Sequence, residues 1–423
     1  MTKAHMHTQA TVVASYVDGD RLWDRLMALA RFGALPGGGV NRQALSSEEI
    51  AARAEIVRWA EAIGLVPSTD AAANLFLRLP GRDDSLPPVL VGSHIDSQPT
   101  GGKFDGAYGF LAGIEVVEAI RSAGIQPRRS IDVVAWMNEE GSRFAPGMMG
   151  SAVFSGARQL VDIYPLKDAA GVPVQAALEQ VLAAKPSLPL RPFGWKPHAF
   201  FEAHIEQGPV LELERKTMGV VSGIQGKRTF RVEVVGEENH AGTSPRGVRR
   251  DALVAAVNIV QALQNALWDK DDIVRFTVGM FTVSPNAPSV VAARVAFSID
   301  LRHPDATTLT RLGDRVAPLC QEHRLRCEVN VRELLHDPPL EFPQHIRDKL
   351  MRISNALGIS NMEIASGAGH DARYLHYICP TAMIFIPCKA GISHNEAESI
   401  QKEHATAGAR VLAEAVLDLT NAE

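Results

Sequence analysis

Residues 89–109 read VLVGSHIDSQPTGGKFDGAYG, and the parsing of this stretch decides the fold. Pro88 to Val91 is an apolar run that reads as a buried strand. It ends at Gly92, and a polar, glycine-rich loop carries the chain to Asp105. From Gly106 to Ala123 apolar residues recur at helical spacing, so a helix begins just after Asp105. His94 and Asp105 therefore fall at a strand end and a helix start, the place where open α/β sheets bind ligands. Asp96 stands two residues beyond His94, where its carboxylate can accept the second imidazole N–H and fix the tautomer of a metal ligand. Taken alone, a histidine and an aspartate in such a loop more often stabilise a turn than bind a ligand. The rest of the chain has to decide.

Working outward, Asp20 to Ala30 and Ser47 to Ile63 carry helical periodicity, with Gly37-Gly38-Gly39 as a break or substrate-side loop between them. A strand is expected over Asn74 to Leu79 and another, nearly all apolar, over Ser130 to Met137. The second delivers Asn138-Glu139-Glu140-Gly141 at its C-terminal end. Strand, helix, strand is the signature of a mostly parallel α/β layer. Residues 157–198 read as helices and loops, and Ala199 to Ile205 brings Glu202, His204, Glu206 and Gln207. At Met218 the texture changes. Gly219 to Val235 alternates apolar and polar residues as one half-exposed strand. A helix over Arg250 to Leu267, strands near Ile273 to Val283 and Ser289 to Leu301, a helix over Ala306 to His323 and a strand over Arg326 to Glu333 follow. That β-α-β-β-α-β order predicts a small α+β insert at 218–333, flanked by a larger domain at 1–217 and 334–423. The last part returns to α/β texture: helix Pro343 to Ala356, strand Thr381 to Ile386, helix Gln401 to Thr420.

Composition sets limits. At 423 residues, about two or three domains of roughly 150 residues are expected. A hydrophobic share of 46% and a charged share of 22% are ordinary for a globular chain, so a core is available without disulfides. A net charge of -5 with no basic block argues against nucleic acid as a partner. The opening MTKAHMHTQATVVASYVDGD has no secretory-signal pattern, and no run of 18 apolar residues suggests a membrane span. Cys320, Cys327, Cys379 and Cys388 form no Cys-x-x-Cys pair, and a reducing, cytoplasmic setting is the simplest expectation.

Glu139 and Glu140 are consecutive acids at a strand end. They read either as two solvated loop carboxylates or as a metal ligand beside a general base. His204 sits at another strand end, and Ser393-His394-Asn395-Glu396 lies in a glycine-led loop after a third. Imidazoles and carboxylates collected at strand ends can make two divalent sites bridged by an aspartate. Such donors suit zinc, manganese or cobalt, and geometry does not choose among them.

With these motifs in view the chain resembles the amidase/hydantoinase/carbamoylase branch of the dinuclear aminoacylase-like metallopeptidases. The resemblance runs from about Gly19 to the C-terminus. It rests on GSHIDSQPTGGKFDG (92–106), NEEGSRF (138–144), EAHIEQGP (202–209), NHAGT (239–243), DLRHPD (300–305), SGAGHDA (366–372) and ISHNEAE (392–398).

The resemblance implies an α/β fold in which a large, mostly parallel-sheet metallohydrolase domain carries a smaller lid that also forms a homodimer. It implies two divalent cations, one on His94, Asp105 and His204, the other on Asp105, Glu140 and His394. Glu139 would be the general base. Peptidase relatives usually carry a carboxylate where His204 stands, so the imidazole points to the carbamoylase-type branch.

His240 resembles the lid residue that polarises the scissile carbonyl, although by itself it reads as a loop histidine capping a helix. Arg302 looks like the clamp for a substrate carboxylate, with Arg228 assisting and Gln207 and Gly369 lining the pocket. His370 and Asp371 read as structural loop residues. Where many relatives have an asparagine thirteen positions before the clamp, this chain has Ser289, with Asn286 three residues earlier. The expected reaction is hydrolysis of an N-carbamoyl amino acid, with allantoate, a β-ureido acid or a peptide as competing substrates. A non-catalytic binding protein on the same scaffold is the competitor from another class. Lid closure implies hinges near Met218 and Glu333.

Overall fold

In the computed structural model of the chain, residues 13–422 are described; most of the stretch read above for a leader lies outside them. Two compact units emerge. One comprises the described residues up to Ser222 and from Phe342 onward, and the other is Gly223–Glu341.

The first unit is built on one sheet. Its centre holds β1 (Leu75–Leu79), β2 (Val89–His94), β3 (Ile131–Trp136), β4 (Ala199–Ile205) and β5 (Thr381–Ile386). In space the order is β5-β4-β2-β3-β1, and the β5–β4, β4–β2 and β2–β3 pairs are parallel. The flanks are antiparallel: β1 pairs β3 that way, and Met218–Ile224 pairs β5. Every residue of β2, β3, β4 and β5 is buried, which is why these segments read as mostly apolar, with Asp132 and Glu202 as the buried acids inside them.

Helix α1 (Ala107–Ser122) lies on this sheet with α2 (Lys402–Asn421) beside it. Gly109 and Gly113 each cost α1 about 1 kcal/mol of helix propensity. Burial of Phe110, Leu111, Ile114 and Val117 outweighs that, at about 1.5–3 kcal/mol for each side chain. Gly109 has a steric reason too: a Cβ there would lie 1.9 Å from the Ala203 carbonyl of β4.

In the second unit Gly226–Val235 pairs antiparallel with both Arg294–His303 and Glu328–Asp337. The helix Ala252–Leu267 packs against this sheet. Four differences from the sequence reading have plain causes. The boundary falls at Gly223 rather than 218, because Met218–Ile224 joins β5 in the large sheet, as Ile384 opposite Val220 shows. The single strand expected over Gly219 to Val235 is accordingly two. At the other boundary, Leu340–Glu341 turns back onto Ile224 and Gly223, so the unit ends at 341 rather than 333. The strand expected near Ile273 to Val283 is two short pieces, Arg275–Thr277 and Phe281–Ser284, each on Arg294–His303. The strand at Val66–Asp70 is a further element, which Pro67 and the polar Ser68, Thr69 and Asp70 hide from a periodicity reading. All four cysteines are buried free thiols. No helix among the described residues is long and apolar enough to cross a membrane.

Candidate metal centre

Parallel neighbours bring their C-terminal ends together, and the register does the rest. Val89 faces Ala199 and Val91 faces Phe201, so the pairing continued three residues sets His94 level with His204. On the other side His94 faces Trp136, and the chain leaving β3 reaches Glu139 and Glu140 just beyond. Asp105 arrives from the loop before α1, and His394 from the loop after β5.

Two groups of ligand-type side chains result, each with its donor atoms within 4.8 Å of one another: His94, Asp105 and His204, and Asp105, Glu140 and His394. Asp105 belongs to both. Its Oδ1 lies 3.1 Å from His204 Nε2 and 3.6 Å from His94 Nε2. Its Oδ2 lies 3.5 Å from His394 Nε2, which is also 3.3 Å from Glu140 Oε2. The inner group is buried, whereas the His394 side chain is 49% exposed.

The second nitrogens are tied down. His204 Nδ1 meets the Ile205 carbonyl at 2.9 Å, and His94 Nδ1 meets the Asp96 carbonyl at 3.0 Å. This corrects the reading of Asp96: its backbone, not its carboxylate, fixes the His94 tautomer, the carboxylate Oδ1 standing 3.6 Å away. The carboxylate instead accepts the Glu139 and Glu140 N–H groups at 3.2 Å each. It thus fixes the backbone that presents both glutamates.

Electrostatics make the centre a conflict of charges. Burial opposes a charge on His94, but Glu139, Asp105 and Asp96 outweigh it and hold the ring well above its ordinary range. Burial would likewise raise the Asp105 carboxyl, yet His204 and His94 draw it well below. Glu139 is pushed well above the carboxylate range by burial, with Asp371 and Glu140 adding to the effect against the pull of His94. Burial, then Asp105, pushes Glu140 to about 8. Divalent cations resolve such crowding of carboxylates. The donors fit them: His94 Nε2 is buried with no hydrogen-bond partner among the described residues, and its Nδ1 is already engaged.

Around this core stands a ring of residues of which the sequence reading singled out only Gln207 and Gly369 as lining the pocket. Glu398 accepts the Phe104 and Asp105 N–H groups at 2.8 and 3.1 Å. Burial, then Asp105, pushes its carboxyl to about 7. Ser393 Oγ and Gln207 Nε2 both donate to Asp105 Oδ2, at 2.6 and 2.8 Å, and Gln98 Nε2 donates to Glu140 Oε2 at 2.8 Å. Gln98, Ser393 and Glu398 lie inside the motifs quoted above, but nothing in their spacing marks them. Gly37 and Gly39 have a packing reason, since a Cβ on either would collide with the Glu396 side chain beside the His394 loop. Gly369 precedes His370, whose ring packs on His204 at 4.5 Å between centroids.

The other candidates belong to the second unit. Asn239–His240 pairs with Val290–Val291, and Ala241 donates its N–H to the Ser289 carbonyl at 3.0 Å. His240, Ser289 and, a turn earlier, Asn286 therefore share one corner of that unit. His240 Nδ1 accepts the Gly242 and Thr243 N–H groups at 3.0 and 3.2 Å, which leaves Nε2 as the N–H donor. Arg302 forms a two-pronged pair with Asp300, at 2.8 and 3.1 Å. Arg228 requires a correction. Its Nε and Nη2 hold Glu333, its Nη1 holds Asp314 and the Thr310 carbonyl, and the side chain is buried against Gly313. With its fork filled inside its own unit, it is a structural cation and not a second substrate clamp.

A mixed sheet with this cluster at its strand ends defines a class, and the relatives agree on it. The chain belongs to the peptidase family M20/M25/M40, whose profile matches residues 90–418. It is 38% identical to an N-carbamoyl-L-amino-acid amidohydrolase of Rhizobium meliloti, over 95% of this chain and 96% of that protein. It is 35% identical to the allantoate amidohydrolase of Escherichia coli, over 91% and 94%. A crystal structure of an amidase of the hydantoinase/carbamoylase family from Burkholderia multivorans superposes with a TM-score of 0.88 at 42% identity, covering 96% of this chain and 98% of that one.

Proposed function

We propose that the protein hydrolyses an N-carbamoyl-L-amino acid to the amino acid, carbon dioxide and ammonia, using two divalent cations of zinc, manganese or cobalt in the cytoplasm. The observation that carries this reading is Glu139: a carboxylate only 11% exposed and outside both ligand groups, with Oε2 3.5 Å from His94 Nε2. His94, Asp105 and His204 would hold one cation, and Asp105, Glu140 and His394 the other. Bound there, they supply polarisation of the substrate carbonyl and a lowered pKa of water. Glu139 takes the proton from the attacking water and returns it to the leaving nitrogen. His240 presents its Nε2–H to the developing oxyanion. Arg302, whose fork is held by Asp300 in this structure, would take the substrate carboxylate in exchange for that partner, and Asn286, Ser289, Gln207 and Gly369 are the remaining candidate contacts.

The test is ammonia release after removing metal and restoring manganese, cobalt or zinc. The panel is N-carbamoyl-L-methionine, N-carbamoyl-β-alanine, allantoate and a dipeptide. Turnover of the carbamoyl α-amino acid is the expected result. Preference for allantoate or the β-ureido acid would move the protein to those branches, and cleavage of the dipeptide alone would refute the reading.

A homodimer through the second unit is part of the same proposal. Helix Ala252–Leu267 contains no charged residue, yet Leu253, Val254 and Val257 are exposed on it and Trp268 just beyond is 73% exposed. Glu328–Asp337 is an open sheet edge ten residues long. Both features call for a cover, and a second copy supplies one that matches both at once. The double substitution Val254→Asp, Val257→Asp is expected to shift light-scattering mass from two chains to one. An unchanged mass would remove this surface from the proposal.

A further inference from the structure

The two ligand groups share Asp105 but differ in how free their donor atoms are. In the inner group His94 Nε2 meets no donor among the described residues, and His204 Nε2 meets only the Gly106 N–H at 3.2 Å. The outer group is crowded. A carboxylate oxygen has two lone pairs. Those of Asp105 Oδ2 are taken by Ser393 Oγ at 2.6 Å and Gln207 Nε2 at 2.8 Å. Glu140 Oε2, the oxygen nearest His394, takes Gln98 Nε2 at 2.8 Å. The third outer ligand, His394, is half exposed on a loop and sits at φ +52.

The two donors on Asp105 Oδ2 are not equally easy to displace. Ser393 Oγ also lies 3.2 Å from Glu398 Oε2, so the hydroxyl is fixed between two carboxylates that share its one proton. Gln207 has a looser hold. Its amide oxygen is buried with no hydrogen-bond partner among the described residues, and its backbone sits at φ +58. Besides Asp105, its Nε2 reaches only Ser393 Oγ among the described residues, at 3.5 Å.

We infer that Gln207 is a positioning residue that sets the cation affinity of the outer group: its amide competes for the Asp105 oxygen that the outer cation must share. The inner cation is retained and the outer one exchanges, so the active fraction of the protein follows cation supply. The inference rests on the two-cation reading above, and its own content is the role of one amide.

Calorimetric titration of metal-stripped protein with Mn2+ alone tests it without reference to activity. Two steps are expected for the wild type, the second weaker. Gln207→Leu, which keeps the bulk and removes the donor, is expected to tighten the second step about tenfold, equivalent to about 1.4 kcal/mol, and to leave the first unchanged. In a His394→Ala background only the first step should remain, and adding Gln207→Leu should not move it. Gain of affinity at one step is a result that simple damage to the fold does not give. Gln98→Leu, acting on Glu140, supplies a second variant with the same expected sign. Two steps with the second unmoved in both variants would overturn the inference while sparing the two-cation reading; no saturable binding in the wild type would overturn both.

Discussion

Replacing Glu139 by glutamine is expected to lower kcat by about 10²–10⁴-fold, the range a positioned general base supplies, with cation content unchanged. The substitution keeps the shape of the side chain and removes only its capacity to accept a proton. It leaves untouched the Glu139 N–H that Asp96 Oδ1 accepts at 3.2 Å, so the backbone presenting Glu140 should stay in place. The carboxylate belongs to neither ligand group, which is why metal analysis should not register the change. Loss of cation together with turnover would make Glu139 a ligand. Retained turnover would put the base elsewhere. A variant and a wild type that both bind ureido acids without releasing ammonia would identify a binding protein on a hydrolase scaffold.

The strand ends were legible because chemistry and periodicity coincide there. β2, β3, β4 and β5 are covered on both faces, so their sequences are mostly apolar, and the polar residues at or just beyond their C-terminal ends stand out against them. His94, Asp105, Glu140, His204 and His394 could be seen in that way, and so could Glu139. What one sequence does not encode is which atom of a side chain meets which neighbour. Asp96 was assigned by spacing to His94, but the turn after β2 sends its backbone carbonyl to the ring and its carboxylate to the next loop. Arg228 had the right charge on a plausible strand. Its partners Asp314 and Glu333 are 86 and 105 residues away, beyond any local pattern. The boundary at 223 is hidden for a related reason. Alternation along Gly219 to Val235 reports half-burial, and it does not report that the chain leaves one sheet for another between Ile224 and Gly226.

Removing the Asp105 carboxylate should cost more cation than any other single substitution. Each of the other four ligands serves one group, whereas Asp105 serves both, through Oδ1 to His204 and His94 and through Oδ2 to His394. The Asp105→Ala variant is therefore expected to hold less than one cation per chain after desalting, where His394→Ala should still hold one. Thermal unfolding gives an independent readout. A ligand at a hundred times its Kd stabilises the native state by about 2.7 kcal/mol, which for a unit of this size is a rise in Tm of several degrees. Wild-type protein should show that rise on adding Mn2+, His394→Ala a smaller one, and Asp105→Ala almost none. The buried imidazoles add a second sign to look for. Asp105 is among the acids that hold the His94 and His204 rings above their ordinary range. Without it both should lose protons at lower pH, and NMR titration of the metal-stripped variant would follow that directly. If Asp105→Ala instead retains one cation as firmly as wild type, the aspartate belongs to a single site and the bridged arrangement is wrong.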